Sequence, residues 1–568
     1  MMSKSNINKL LILILTLALF LRLNKISFVP PSLNWDEISH GYNAYSILKT
    51  GKDEWGIRFP LIFRAYGDFK LPLYIYLATV TEALFGLNVV GVRLVSVLAG
   101  VGLVFLSYLL SKKILKKESL SLISAFLTAV SPWSLFVSRV AVEANLGAFL
   151  FATGMYFWLC WLDEYRLKNL ILASFSWGLA LHAYNSARIL VPICILITIW
   201  RILRQKRIRQ LAPHLILISL FFLPIIFQFF NQSAKARFNW VSLIDQGTIS
   251  RIIEKRTTSN LPKPFPSVLF NKGTFFIYYA FKNYILNLSP GYLFFKGGSH
   301  YQFSLPDHEL LYLVTAPFLL LGLLRAFKKR DIQSKVLLFW VFGAFIPSAI
   351  TKDAPHVLRS LLVLPVPMVL TTSGIEWIVN FLEKKSAFKG EFMNLMIIIC
   401  VVISFFRWWN DYFKIYPKIY SWAWQYGYKE VVSFIKESYM KYDKIFITKR
   451  YGEPHEFILF YWPWEPDKYQ NEPKIWDYHA NWYWVDRFDK FEFINDWEIK
   501  DKLKIILRQA QDNTEQSRSI KNEKLKMTMK NEKILLITSP GNYPEGWRKI
   551  KQIDFLDGKA AFEILESN

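Results

Sequence analysis

Long apolar runs separated by short polar segments occupy most of the chain between residues 7 and 409. Their lengths approach the ~20 residues that an α-helix needs to cross a bilayer, although several runs are shorter. We therefore predict a polytopic α-helical membrane protein with about eleven transmembrane helices. The runs lie at about 7–24, 91–111, 119–137, 145–162, 168–182, 187–203, 212–230, 309–326, 335–350, 359–381 and 393–409.

The apolar stretch 71–85 does not fit this alternation, because counting it as a span would move the next basic loop to the opposite side. We predict instead an outer juxtamembrane helix that lies along the membrane surface, with Pro72 in its first turn. We interpret the first run as a retained helix and not as a signal peptide, since residues 24–28 do not resemble a cleavage site.

The distribution of basic residues predicts the orientation. The formal net charge of +25 and the 69 Lys and Arg residues would suggest nucleic-acid binding in a soluble protein. Here, nineteen of them lie in five short loops that all face the same side. We therefore predict a plasma (inner) membrane protein with a cytoplasmic N-terminus and no nucleic-acid partner. The loops are 112–117, 163–168, 201–209, 325–335 and 384–389.

The remaining large segments are then extracytoplasmic, and the last of them, 410–568, indicates a separate small α/β domain beside a transmembrane domain at 1–409. Apolar stretches at 444–448 and 533–538 predict buried strands. Helices are expected at about 428–439 and 454–460. The polar composition of 509–532 predicts a disordered insert.

Two adjacent carboxylates, Asp36 and Glu37, follow Asn34 in the first outer segment, just before a plausible helix. One interpretation is structural, with acidic side chains at the N-terminus of a helix complementing its dipole. The other interpretation is chemical, with a carboxylate at the membrane surface acting as a general base or holding a cation. Spacing alone leaves both open.

Asp68 and Lys70 precede the helix predicted at 71–85, where outward-pointing backbone N–H groups favour a phosphate. A lysine that snorkels to the interface is the alternative for Lys70. Arg93, at the outer end of the second span, is either a similar anchor or a second phosphate contact. The predicted topology brings further candidates to the same face, namely Arg139, Glu143, His182, Tyr184, Arg188, His356 and Arg359.

These segments resemble membrane glycosyltransferases of the GT-C superfamily, in the branch of protein mannosyltransferases and lipid A aminoarabinose transferases. The resemblance covers about residues 7–409. Its most specific parts are the Asp36–Glu37 pair, the stretch Gly67-Asp68-Phe69-Lys70-Leu71-Pro72-Leu73-Tyr74, and Arg93-Leu94-Val95-Ser96.

The resemblance implies a sugar donor on a polyprenyl phosphate and transfer to a glycan, lipid or protein acceptor at the extracytoplasmic face. It implies that Asp36 is catalytic, with Glu37 beside it, and that Lys70 contacts the phosphate. No organic cofactor is expected, and a divalent cation would be held by Asp68. The sequence departs from the family pattern at Leu71, which replaces a proline, and at Phe69, which separates the acidic residue from Lys70. Both departures weaken the metal assignment.

The chemistry agrees with these residue types. Displacement at an anomeric carbon needs a base for the acceptor hydroxyl and a positive site for the departing phosphate. We expect inversion, with the phosphate stabilised by Lys70, Arg93, Arg188 or Arg359. Tryptophans of the outer domain either stack on sugar rings or belong to its core; they are Trp422, Trp424, Trp462, Trp464, Trp482 and Trp484.

The main alternative is a multispanning transporter or flippase of a lipid-linked or glycan substrate. Transporters usually have internal repeats and charges near the membrane midplane. Here no repeat is evident, and the charges gather at the outer ends of the spans. A structural membrane subunit is a third interpretation, and it leaves that gathering of acidic and basic residues without a purpose.

Overall fold

The computed structural model describes residues 3–67, 69–229, 240–385, 390–479, 482–505 and 533–567. A helix lies in each of the apolar runs predicted from the sequence. The helices up to residue 410 are α1 (Lys4–Leu23), α2 (Trp35–Thr50), α3 (Pro72–Phe85), α4 (Val89–Leu115), α5 (Glu118–Val130), α6 (Pro132–Val137), α7 (Glu143–Glu164), α8 (Leu167–Ala183), α9 (Ala187–Arg204), α10 (Leu211–Phe229), α11 (Gln246–Thr257), α12 (Phe265–Leu269), α13 (Lys272–Asn287), α14 (Ala316–Lys329), α15 (Ile332–Gly343), α16 (Ile346–Ala349), α17 (Val366–Lys385) and α18 (Gly390–Asn410).

The predicted helical membrane architecture is confirmed, whereas the number of eleven spans is not. Within the described residues, six helical stretches are both long and apolar enough to cross a membrane. Among the helices in the other runs, α5 and α8 are shorter, whereas α9 and α17 have 18 and 20 residues but do not combine that length with sufficient apolarity. Helix α3 has 14 residues, which corresponds to about 21 Å and is less than the ~30 Å hydrocarbon core. Its position along the outer surface stays a prediction.

The basic loops meet at one end of the helical bundle. Lys113 at the end of α4 forms an ion pair of 2.6 Å with Asp163 at the end of α7. The carboxylate of Glu376 in α17 forms ion pairs with Lys117, at 3.0 Å, and with Arg325, at 2.6 Å. Three loops predicted to be cytoplasmic are therefore close neighbours, as a common side requires. Which side of the membrane they face stays a prediction.

At the C-terminal end of α1, the buried side chain of Arg139 donates hydrogen bonds to backbone carbonyls that have no partner within the helix. The four C-terminal carbonyls of a helix have no partner within the helix. Arg139, between α6 and α7, is fully buried. Its guanidinium donates hydrogen bonds of 2.6 to 3.0 Å to the backbone oxygens of Leu21, Arg22, Asn24 and Val29.

The C-terminal segment folds as the predicted α/β unit. Strand β3 lies parallel to both β6 and β7, and the other pairings of the seven-stranded sheet are antiparallel, in the order β4-β5-β6-β3-β7-β9-β8. The predicted insert 509–532 lies outside the described residues. The elements are α19 (Tyr416–Tyr420), α20 (Tyr428–Ser438), β3 (Lys444–Thr448), α21 (Pro454–Tyr461), α22 (Pro466–Asn471), β4 (Ile475–His479), β5 (Trp482–Phe488), β6 (Phe491–Ile494), β7 (Ile534–Thr538), β8 (Trp547–Asp554) and β9 (Ala560–Ser567). A short antiparallel hairpin, β1 (Phe63–Arg64) and β2 (Phe69–Lys70), precedes α3.

The α/β unit packs directly on α2, which lies in the first outer segment predicted from the sequence, residues 24–70. Ile38 and Tyr42 of α2 belong to the same buried apolar cluster as Phe460 of α21. A Cβ added at Gly41 would lie 2.6 Å from the Phe460 ring, so this glycine allows the two helices to approach closely. One core therefore joins α2 to the C-terminal unit and fixes their relative position.

The role of Arg139 as the cap of α1 predicts a stability effect. Arg139→Ala leaves several buried carbonyls without a donor, and each unpaired group costs about 1–3 kcal/mol. We expect the unfolding temperature of the detergent-purified protein to fall by several degrees, measured by intrinsic fluorescence.

The matched control is Arg166→Ala, because Arg166 pairs with Glu164 on the exposed end of α7. A surface ion pair of this kind contributes about 0–1 kcal/mol. Equal unfolding temperatures for the two variants would contradict the capping role.

Candidate active site

A cavity of about 350 Å³ lies where the outer ends of the bundle meet the C-terminal sheet. Eight separate segments of the chain line it, from the start of α2 to β5. Their side chains include acids and bases together with several aromatic rings. The sequence-predicted residues in its lining are Asp36, Glu37, Lys70, Glu143, Tyr184, His356 and Arg359.

Four other predicted contacts do not line the cavity in the part of the chain that the structure describes: Arg93, Arg139, His182 and Arg188. Arg139 caps α1, as described above. His182 Nε2 lies 2.9 Å from the Phe221 carbonyl oxygen. Arg188 donates to Gln228 Oε1 at 3.0 Å. Asp68, the predicted metal ligand, lies outside the described residues.

Helix α2 begins with a capping box that does not involve Asp36. The Asn34 side chain accepts a hydrogen bond of 2.9 Å from the Glu37 backbone N–H, and Glu37 Oε2 accepts one of 3.2 Å from the Asn34 N–H. This reciprocal pair satisfies two helix-terminal donors. The structural interpretation left open by the sequence therefore applies to Asn34 and Glu37. Asp36 occupies the same first turn with its carboxylate directed elsewhere.

Glu37 is also the partner of Arg93, which enters from α4. Arg93 Nε lies 2.8 Å from Glu37 Oε1 and Arg93 Nη2 lies 2.9 Å from Oε2, so the contact is bidentate. Arg93 donates further to the carbonyl oxygens of Ile26 and Ser32, each at 2.7 Å. Glu37 Oε1 accepts the Ala141 N–H at 2.7 Å. Both Glu37 and Arg93 are fully buried, and together they position the beginning of α2.

Asp36, by contrast, presents its carboxylate to the cavity with 49% of the side chain exposed. Lys70 Nζ, from β2, donates to Asp36 Oδ1 at 2.8 Å and to the Asp36 carbonyl oxygen at 3.0 Å. Burial acts to raise the pKa of Asp36, but the charge and hydrogen bond of Lys70, helped by His40 and His300, lower it below the usual aspartate value. The carboxylate is therefore ionised at neutral pH and can accept a proton.

A ring of histidines and aromatic side chains surrounds this pair. His40, one helical turn after Asp36, lies 3.2 Å from Glu143 Oε1. His300 stacks on Phe303 with ring centroids 3.9 Å apart. His40, His300 and Phe303 were not predicted from the sequence. The i, i+4 spacing of Asp36 and His40 on one helix face was a usable signal, whereas nothing local marks His300 or Phe303.

The C-terminal unit supplies one wall of the cavity through Trp482. The Trp482 ring stacks on Tyr66 at 5.6 Å with an interplanar angle of 15°, and it lies 5.9 Å from the ring of Trp240. The Tyr483 N–H donates to the Tyr66 carbonyl oxygen at 2.6 Å. Six tryptophans were predicted either to stack on sugar rings or to belong to the core. Among the described residues, Trp482 is in the cavity lining, whereas Trp424 and Trp464 are buried in the core.

The cavity offers acids and histidines, but its described residues contain no three whose ligand atoms lie close enough to share a metal ion. The described part of the chain has one such group, Glu54, His455 and Glu456, outside this cavity. The predicted cation therefore has no donor set here among the described side chains.

Comparisons with known proteins give one family match and several structural matches. Residues 70–228 match the model of the family described as dolichyl-phosphate-mannose-protein mannosyltransferase. No curated protein sequence matches the chain. The structure of ArnT from Cupriavidus metallidurans bound to undecaprenyl phosphate matches over 99% of this chain and 98% of that one, with a TM-score of 0.53 and 11% identity.

The oligosaccharyltransferase from Archaeoglobus fulgidus, in its apo form, matches over 81% of this chain with a TM-score of 0.52 and 13% identity. This chain spans 64% of the length of that protein. At such identities the two structures establish a common fold. Together with the family match over residues 70–228, they confirm the predicted resemblance to GT-C membrane glycosyltransferases.

The buried Glu37–Arg93 pair predicts a stability effect that separates it from the chemistry of Asp36. Glu37→Gln leaves Arg93 as an uncompensated buried charge, which costs about 3–5 kcal/mol. We expect a marked fall in the unfolding temperature of the purified protein. Adding Arg93→Met should recover part of the loss, because the charge is then removed. A fall no smaller in the double variant than the sum of the single variants would contradict direct coupling.

Proposed function

We propose that this glycosyltransferase moves a sugar from a polyprenyl-phosphate donor to an acceptor hydroxyl at the extracytoplasmic membrane face, with Asp36 as the base. The observation that carries the proposal is the Asp36 carboxylate, half-exposed in the cavity with Lys70 Nζ 2.8 Å away. A proton acceptor and a cation thus lie side by side, as displacement of a phosphate at an anomeric carbon requires.

Two positive groups are available to the donor phosphate. Lys70 is 7% exposed and lies between Asp36 and the ring of Tyr66. Arg359 lines the same cavity and donates to Thr351 Oγ1 at 2.9 Å. We infer that an arriving phosphate takes Lys70 as its partner. This exchange weakens the ion pair with Asp36 and leaves the carboxylate facing the acceptor.

The reaction is then a single displacement. Asp36 removes the proton of the acceptor hydroxyl as its oxygen attacks the anomeric carbon. The bond between that carbon and the phosphate oxygen breaks, and polyprenyl phosphate leaves with its electron pair and negative charge. No general acid is required, because the phosphate is already a good leaving group. The configuration at the sugar carbon is inverted.

The polyprenyl donor is supported by the comparisons rather than by the cavity itself. The matched ArnT structure contains undecaprenyl phosphate, and the matched family is described by a dolichyl-phosphate-linked sugar. The acceptor is a glycan, a lipid or a protein. We assign to it the part of the cavity that is lined by Trp482 of the C-terminal unit. Aromatic faces of this kind stack on the apolar faces of sugar rings.

A flippase or transporter is the rival function. It accounts for the helical bundle, and it gives no role to an ionised carboxylate beside a buried lysine at the outer end of the chain's helices. The two functions differ in their chemical product, since a flippase leaves the donor intact.

Asp36→Asn should abolish transfer while leaving donor-lipid binding unchanged. The amide keeps the shape of the side chain but cannot take a proton, so turnover should fall at least about 100-fold. Mass spectrometry of lipid-linked sugars and glycans in cells with the wild-type or variant protein measures the product. Affinity for undecaprenyl phosphate in detergent measures the lipid site.

Glu164→Gln is the matched control, because Glu164 is a half-exposed carboxylate at the other end of the bundle. It should retain full transfer. Wild-type turnover in the Asp36→Asn variant would exclude Asp36 as the base. Movement of intact donor across the membrane by the wild-type protein, without any glycosylated product, would favour the flippase.

Trp482→Ala should weaken the acceptor and spare the donor. Loss of one aromatic stacking contact costs about 0.5–1.5 kcal/mol, which corresponds to a KM for the acceptor raised about 2- to 12-fold. The control is Trp497→Ala, since Trp497 is 78% exposed on the same domain. An unchanged acceptor KM in the Trp482 variant would remove its proposed role.

A further inference from the structure

A second cluster of ionisable side chains lies behind the cavity, at the contact between the first outer segment and the C-terminal unit. Glu54 comes from the segment between α2 and β1, and His455 and Glu456 come from the first turn of α21. One potential ligand atom from each lies within 4.8 Å of the other two. All three residues are at least 97% buried.

Two of the three residues have a buried carboxylate oxygen without a hydrogen-bond partner among the described residues, namely Glu54 Oε2 and Glu456 Oε2. His455 Nδ1 lies 3.4 Å from Glu453 Oε2. The other oxygen of Glu54 accepts a hydrogen bond of 3.0 Å from Asn43, which holds the carboxylate in place. Buried polar atoms in folded proteins are almost always paired, so two unpaired oxygens in one cluster call for a further partner.

A cation can satisfy both carboxylates at once. Two ionised carboxylates buried side by side repel one another, and a positive ion between them removes that repulsion. His455 places an imidazole nitrogen beside them, within 4.8 Å of both carboxylates, and a neutral imidazole is a common metal ligand.

The neighbouring cations are engaged elsewhere. Lys449 pairs with Asp486 and lies 5.1 Å from the ring of Trp484. The Arg64 guanidinium lies 4.8 Å from the ring of Trp55 and 5.0 Å from that of Tyr483. Among the described residues, neither cation forms an ion pair with Glu54 or Glu456. Lys70, whose charge acts on both Glu54 and Glu456, pairs with Asp36 at 2.8 Å. Each of these three cations therefore has another partner.

The space between the three side chains also fits an ion. A cavity of about 10 Å³ is lined by Glu54, His455 and Glu456, which is at the lower limit for a water molecule. Ligand atoms within 4.8 Å of one another need only small side-chain rotations to reach the distances of about 2.0–2.4 Å at which they bind one cation. One imidazole with two carboxylates is a donor set that suits zinc.

We propose that Glu54, His455 and Glu456 bind a divalent cation of the zinc type, which fastens the C-terminal unit to the first outer segment. The ion joins α21 to the segment that follows α2. Tyr66 and Trp482 lie immediately beside this junction, since Glu453 accepts the Trp482 Nε1–H and Tyr66 lines the small cavity. The site is separate from the candidate active site and does not depend on the proposed function.

The test measures zinc in the full-length, detergent-purified protein after chelation, reloading with zinc sulfate and desalting. We expect one additional zinc ion per chain by elemental mass spectrometry, together with a rise in the unfolding temperature. The double variant Glu54→Gln/Glu456→Gln should lose both the ion and the rise. The double variant Glu430→Gln/Glu437→Gln removes two exposed carboxylates from α20 and should keep both.

Asp36→Asn separates this site from any cation in the larger cavity, and it should also retain the bound zinc. X-ray absorption of the zinc-loaded wild-type protein gives an answer that does not depend on a variant folding. We expect one nitrogen and carboxylate oxygens as ligands at about 2.0–2.2 Å. Absence of stoichiometric zinc in the wild type, or its retention in the Glu54→Gln/Glu456→Gln variant, would overturn the proposal.

Discussion

The bidentate contact between Arg93 and Glu37 is the interaction on which the rest of the candidate site depends. It joins α4 of the helical bundle to the first turn of α2, with both side chains fully buried. Arg93 also binds the carbonyls of Ile26 and Ser32, so the chain between α1 and α2 is held at the same point. A buried ion pair adds little net stability, yet losing one partner is costly. The Arg93–Glu37 pair therefore matters because it holds the first turn of α2 in one position relative to α4.

That geometry gives two neighbouring carboxylates opposite environments. Glu37 closes the capping box with Asn34 and is occupied by Arg93. Asp36, one residue earlier, turns to the cavity and meets Lys70. Because one helical position corresponds to a rotation of about 100°, adjacent residues of a helix cannot share a face. Fixing Glu37 inward therefore directs Asp36 towards the cavity, so the buried carboxylate positions the one that we propose as the base.

The C-terminal unit completes the cavity and is not an appendage. It shares an apolar core with α2 through Phe460 and Tyr42, and it brings Trp482 against Tyr66. The proposed cation site lies at the same contact, with Glu54 on one side and Glu456 on the other. The proposed function, transfer from a lipid-linked donor to an acceptor outside the membrane, requires such a junction to hold both substrates in one cavity. The position of the acceptor wall is set by the same contacts that hold the two parts together.

The sequence by itself determined the helical membrane character and the α/β nature of the C-terminal unit, and it named Asp36 and Lys70 as candidates, which the structure places 2.8 Å apart. These follow from local information, since hydrophobic periodicity and the motif around Lys70 each lie within a short window. Only the tertiary structure decided that Glu37 and Arg93 pair with each other, that Arg139 caps α1, and that Trp482 reaches the cavity. A charged residue at the end of a predicted span looks the same whether it binds substrate or a distant backbone carbonyl. Its partner, which no local pattern specifies, makes the difference.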